Sequence, residues 1–259
     1  MQKNNTLKKA IQIVERAGKI ALSLQKRVCV EYKGKINPVT SADKKTEKFL
    51  VENLSKLGDF GFFCEEASYR KIKEKTFVID PIDGTVNYFH KNPFWAVSVC
   101  FVENFKPVFG ITFAPQLNEM FWAEKGKGSF LNGRRISVSK IRNLKRALLT
   151  TGFPYYVWER PHRVIRIFKK FLTSAQGIRR PGSATIDLAY VACGRYDGFW
   201  EEGLYPWDIA TGMLLVEEAG GRISDYYGNK IKISEKIQKD RTILATNKLL
   251  HKPMLEKLK

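Results

Sequence analysis

Two carboxylates flank a proline turn, with a glycine and a hydroxyl directly behind, in Asp80-Pro81-Ile82-Asp83-Gly84-Thr85. Hard cations such as Mg2+ take carboxylate, carbonyl and water oxygens, so Asp80 and Asp83 can converge on neighbouring ions with the Ile82 carbonyl as a further ligand. Gly84 lets a ligand approach the backbone, and Thr85 stands at a helix start whose free amides suit an anion. The run thus has the makings of a metal and phosphate site. Asp, Pro and Gly are also the preferred residues of an ordinary turn, which is how the run reads by itself. Other acidic positions can join it, each with a plainer alternative. Asp43 can be a helix N-terminal charge, Glu65-Glu66 a surface pair, and Asp208 an N-cap.

The elements around these residues follow from periodicity. Phe77, Val78 and Ile79 form a β-favouring run that stops at Asp80 and Pro81, so Asp80 is expected at a strand end, its carboxylate carried past the sheet by the extended backbone before a proline. Residues 6–26 carry Leu7, Ala10, Ile11, Val14, Ala17, Ala21 and Leu24 at helical spacing. Residues 28–43 read as a short extended segment and a loop with Lys33, Gly34, Lys35 and Pro38, a mobile flap. A second amphipathic helix is expected over residues 46–57, behind Asp43. Phe60, Phe62 and Phe63 lead as a strand into Glu65-Glu66, and neighbours on a strand point to opposite sides.

From residue 95 to 138 the pattern alternates, through Val97, Val99, Phe101, Val108, Ile111 and Phe113, with turn residues such as Asn132-Gly133. This predicts an antiparallel meander covered by helices. Residues 147–153 read as a strand and 161–173 as a basic amphipathic helix opened by proline. Gly182-Ser183-Ala184 starts another helix, whose amides either hold an anion or polyol hydroxyl or are simply capped. Arg179 and Arg180 just before it suit an additional phosphate or the surface. A strand over 197–200 runs into Glu201 and Glu202, and Asp208 opens a helix that ends at Gly220-Gly221.

Composition bounds the class. With 44% hydrophobic and 27% charged residues the chain is globular, and no apolar run is long enough to span a membrane. The polar, lysine-bearing start is not followed by an apolar signal core, so a cytoplasmic location is the expectation. Cys29, Cys64, Cys100 and Cys193 form no C-x-x-C pair and read as reduced thiols. Only three histidines are present, which leaves oxygen ligands and Mg2+ as the metal chemistry. The net charge of +19 fits attraction of phosphate substrates, an acidic partner such as nucleic acid, or a thermophile-like surface. Because it is scattered, a solvated surface is favoured over nucleic-acid binding.

The run 80–87, DPIDGTVN, resembles the first signature of the inositol monophosphatase family, D-P-[IL]-D-G-T-x-N. Residues 207–221, beginning Trp207-Asp208-Ile209-Ala210 and closing on E-A-G-G, resemble its second. Residues 180–225 are especially similar to the bacterial suhB type of that family. Cys64 and Ala67 stand where the family's G-E-E-S has Gly and Ser.

The resemblance implies an α+β fold, a layered αβαβα sandwich, in a single domain over 1–259 with fused halves of about 1–145 and 146–259. It implies two or three Mg2+ ions held by Glu65, Asp80, the Ile82 carbonyl, Asp83 and Asp208. Water would attack the phosphate directly, positioned by Thr85 with Asp43, while Glu65 also serves catalysis through the metal. Asp83, Gly84 and Thr85 would hold the phosphate, and Gly182, Ser183, Ala184 and Glu201 the polyol; by their own chemistry Arg179 and Arg180 would make a second phosphate tolerable. The implied substrate is myo-inositol 1-phosphate, with fructose 1,6-bisphosphate as an alternative, and lithium as an inhibitor. The resemblance also implies a homodimer. From another class, suhB-type relatives imply a regulatory role in a transcription antitermination complex, which the charge would suit.

Overall fold

The computed structural model describes residues 2–27, 30–33, 37–66, 70–159, 161–234 and 241–258. The chain opens with helix α1 (Gln2–Leu24), which buries Leu7, Ala10, Val14, Ala17 and Ala21 as a single stripe. β1 (Val30–Lys33) and β2 (Asn37–Thr40) pair antiparallel with Val30 opposite Thr40. The segment expected to be a flap is therefore a small hairpin where it is described. Residues 34–36, with Gly34 and Lys35, lie outside the described residues, as do Cys29 and Ala67.

α2 (Ser41–Leu54) begins earlier than the periodicity predicts, taking Asp43 into its first turn. The apolar stripe starts only at Phe49, so the polar first turn carried no periodic signal. β3 (Gly61–Cys64) and β4 (Arg70–Lys71) follow, then β5 (Lys75–Asp83), β6 (Ala96–Glu103), β7 (Lys106–Ala114), β8 (Glu119–Glu124), β9 (Gly128–Leu131) and β10 (Arg134–Ile136). Among the described residues these form an eight-stranded sheet in the order β10-β9-β8-β7-β6-β5-β3-β4. The expected meander is its antiparallel part, while β3 and β5 run parallel. Alternation assigns the two faces: Val97, Val99 and Phe101 of β6 pack beneath α1 and α2, whereas Ala96, Cys100 and Val102 face the opposite layer.

That opposite layer is α5 (Ala184–Ala192) and α6 (Pro206–Glu218). Every residue of α5 is buried, because the helix is apolar on nearly all sides and sits between two sheets. The second sheet has the order β12-β11-β13-β15-β14, from β11 (Leu148–Thr151), β12 (Gly177–Arg179), β13 (Gly198–Glu202), β14 (Arg222–Ser224) and β15 (Thr242–Thr246). On it Phe199, Ile243 and Ala245 face α5 and α6, while Trp200 and Leu244 face outward. The outer face is covered by α4 (Pro161–Leu172) and α7 (His251–Leu258), with the Phe171 ring stacked on Trp200 at 4.1 Å between centroids. The layers run αβαβα, as the resemblance implied.

Candidate active site

The expected strand end at Asp80 is not where the strand stops. β5 continues through Pro81 to Asp83, with a register shift against β6 between Asp80 and Asp83. Pro81 removes a ladder donor, and a bulge accommodates that loss. Inside the bulge the Ile82 amide donates to Asp80 Oδ1 at 3.0 Å, so the backbone donor that leaves the ladder finds a carboxylate. Gly84 then takes a left-handed conformation (φ 88°). A side chain there would also crowd the Phe94 and Gly182 carbonyls, which glycine avoids. Thr85 opens the short helix α3 (Thr85–Phe89), and its hydroxyl donates to the Ile82 carbonyl at 3.1 Å.

Three other segments converge on the same place. The Glu65 amide donates to the Ile79 carbonyl at 3.1 Å, which extends the β3–β5 pairing just far enough to set Glu65 next to Asp80. Glu65 and Glu66 lie in the turn after β3, so strand alternation does not separate them; the Glu66 amide instead donates to Glu47 at 2.9 Å. Asp208, in the first turn of α6, accepts from the Tyr205 amide at 2.7 Å. The N-cap of α6 is Tyr205 and not Asp208, which stands at the third helical position and accepts the N-cap amide, while its carboxylate also faces the cluster. Oxygens of Asp80, Asp83 and Asp208 lie within 4.8 Å of one another.

These residues line a cavity of about 530 Å3 together with Glu65, Ile82, Gly84, Thr85, Gly182, Ser183, Ala184, Glu201 and Arg180. Arg180 lies with its guanidinium over the Phe153 ring, 5.6 Å from the centroid. Arg179, in contrast, is exposed at the end of β12 with its guanidinium donating to the Ile178 carbonyl, outside the cavity lining. Asp43 is buried in α2 and is not among the residues that line the cavity. Neighbouring glutamates of β13 part company: Glu201 faces the cavity, while Glu202 pairs with Arg163 at 3.4 Å.

The site carries more negative charge than its surroundings balance. Burial pushes the Asp80 carboxyl well above its usual range, and Glu65, Asp83 and Asp208 push it further. Burial does the same to Asp208, with Asp83 adding to it, and to Glu201, with Asp187 adding to it. Buried and half-buried carboxylates in such number need a counter-charge, and an all-oxygen donor set fits a hard divalent cation. The residues present can therefore hold a metal.

Sequence reasoning missed several positions. Asn87 ties the halves of the site together, its amide donating to the carbonyls of Phe94 at 2.6 Å and Pro181 at 2.8 Å. Gly152 leaves room for Glu201, because a Cβ there would sit 2.2 Å from its carboxylate. Thr185 reaches Asp83 across a sequence gap that no periodicity spans. Asp187, buried behind the cavity, accepts from the Thr150 hydroxyl at 2.8 Å. Asn87 alone carried a signal, as the last residue of the first signature; Gly152, Thr185 and Asp187 lie away from both signatures.

Comparison with known proteins agrees with this geometry. Residues 2–259 match the model of the inositol monophosphatase family. An inositol-1-monophosphatase of Caulobacter vibrioides is 37% identical over 235 residues, covering 89% of this chain and 90% of that protein. A Nus factor SuhB of Xylella fastidiosa is 41% identical over 197 residues, covering 76% and 72%. The crystal structure of the extragenic suppressor protein suhB from Bartonella henselae superposes with a TM-score of 0.90 at 35% identity, covering 100% of this chain and 99% of that one. Fold and site define a phosphoric monoester hydrolase. The chain belongs to the inositol monophosphatase family.

Proposed function

We propose that the chain hydrolyses the phosphate ester of a cyclic polyol, myo-inositol 1-phosphate first, with Mg2+ at the acidic cluster. The observation that carries this reading is the convergence of Asp80, Asp83 and Asp208 within 4.8 Å of one another, in a cavity onto which the first turns of α5 and α6 also open. Glu65, Asp80, the Ile82 carbonyl, Asp83 and Asp208 are the residues that would hold the ions. A bound Mg2+ screens phosphate charge and makes water a better nucleophile at neutral pH.

The chain's own groups do the rest. Thr85, next to the Ile82 carbonyl, orients the attacking water and passes its proton towards Asp43. The amides of Gly84 and Thr85 receive the phosphate oxygens. Gly182, Ser183, Ala184 and Glu201 form the wall against which the polyol lies, with the Glu201 carboxyl meeting its hydroxyls. A second phosphate, as in fructose 1,6-bisphosphate, would meet Arg180, which lines the cavity; Arg179 does not.

A second reading, a regulatory binding role, is favoured by the +19 charge and by the likeness to a relative named Nus factor SuhB. Binding alone gives no reason for an acidic cluster converging in a cavity, so hydrolysis is the primary function. The test is phosphate release from inositol 1-phosphate and fructose 1,6-bisphosphate, with and without Mg2+ and with Li+ added. Mg2+-dependent release from the first supports the assignment, and release from both adds the bisphosphatase activity. Release from neither, by folded protein, moves the function to binding.

A further inference from the structure

Asp83 stands apart from its neighbours in how it is held. A single oxygen, Oδ2, accepts from the Ser183 hydroxyl at 2.5 Å, the Thr185 hydroxyl at 2.6 Å and the Thr185 amide at 2.7 Å. All three donors come from the start of α5, roughly a hundred residues away along the chain. Ser183 is at the same time the N-cap of that helix, its oxygen accepting from the Ile186 amide. The amide and the Ser183 cap follow from the way a helix begins. The Thr185 hydroxyl does not, because a helix needs no hydroxyl at that position and alanine would serve it better.

We infer that Thr185 is a positioning residue: with Ser183 it ties up one oxygen of Asp83 so that the carboxylate offers only the other to a cation. The inference rests on the proposed cation-dependent reading of the site. Three donors on one oxygen fix the rotation of the carboxylate. Bidentate binding through both oxygens is thereby excluded, and the ligating oxygen is set before the ion arrives. Asp83 belongs to the eight-stranded sheet, while its donors belong to the layer beneath the second sheet. The same contact therefore holds the two walls of the cavity at a set separation, so ligand geometry and cavity width are fixed together. Burial raises the Asp83 carboxyl, and the Ser183 and Thr185 bonds oppose that rise.

The test compares Thr185→Val, which keeps the branched shape and loses the hydroxyl, with Thr185→Ser, which keeps the hydroxyl. Mg2+ uptake by the full chain is measured by titration calorimetry without substrate. Loss of a group that orients a metal ligand costs on the order of 10–100-fold in affinity, so the valine variant should bind Mg2+ at least about tenfold more weakly and the serine variant close to wild type. Valine binding within about twofold of wild type overturns the inference, and so does tighter binding, which would mean that the freed oxygen becomes a ligand. If the valine variant does not fold, Thr185→Ala against Thr185→Ser makes the same comparison. A wild-type chain that takes up no divalent cation overturns both this inference and the proposed function. A wild-type chain that binds Mg2+ alongside an unimpaired valine variant overturns only the role of Thr185.

Discussion

Gly152→Ala tests whether Glu201 is held in a working position. Gly152 follows β11 and is buried, and a Cβ built on it would lie 2.2 Å from Glu201 Oε2 and 2.3 Å from its Cδ. Ordinary contact needs about 3.4 Å, so the carboxylate must move by about 1 Å, away from the position it takes at the cavity wall. A misplacement of that size costs on the order of 100-fold in rate, or about 2.7 kcal/mol of transition-state stabilisation. The assay is kcat/KM for Mg2+-dependent phosphate release from inositol 1-phosphate, with urea unfolding as the control for the fold. Glu201→Ala provides the second arm. If alanine at 152 acts by displacing Glu201, adding it to the Glu201→Ala background should cost little more. A single variant within about twofold of wild type, or costs that simply add in the double variant, would refute the reasoning.

Asp208→Asn should lower Mg2+-dependent turnover by at least roughly 100-fold while leaving unfolding nearly unchanged, because an asparagine oxygen can still accept the Tyr205 amide. Equal turnover would remove Asp208 from the site. Phe171→Ala, which empties a fully buried position stacked on Trp200, should cost about 3–5 kcal/mol in urea unfolding and spare turnover per folded molecule. A loss under about 1 kcal/mol would contradict the packing of α4. His251 sits between the Ser224 and Thr246 hydroxyls, 3.0 Å from each, and burial pushes its imidazole down from 6.5 to about 4, with Arg222 adding to the effect. Its unfolded form gains a proton near pH 6.5 that the folded form resists until about pH 4, so stability is lost as pH falls through that window. Wild type should therefore lose more stability between about pH 7 and about pH 5 than His251→Gln, and equal losses would count against it.

Much of the fold was legible because each layer repeats a simple period. The meander from β6 to β10 follows from alternation and from turn residues such as Asn132-Gly133, whose backbone is left-handed as that turn requires. α1 and α4 follow from one-sided apolar stripes. Where polar residues begin an element, as at Ser41 to Asp43 in α2, periodicity had nothing to detect. Pro81 and Asp80 were read as a strand end because Asp before Pro, with its local bond from the Ile82 amide, has the character of a turn, and only pairing with β6 carries β5 on to Asp83.

The site divides the same way. By itself the sequence determined the donor chemistry: oxygen ligands, a glycine that frees the backbone, a hydroxyl beside it, and the two signatures that carry the family. Those are properties of residue type and short spacing, which covalent geometry fixes. Only the tertiary structure decided which groups meet. Ser183 and Thr185 spend their hydroxyls on Asp83, Arg180 rather than Arg179 joins the cavity, and Gly152 exists to seat Glu201. The bonds to Asp83 depend on two sheets being stacked across α5 and α6, and the seat of Glu201 on β11 lying beside β13; both bring together residues that lie far apart along the chain and share no local pattern.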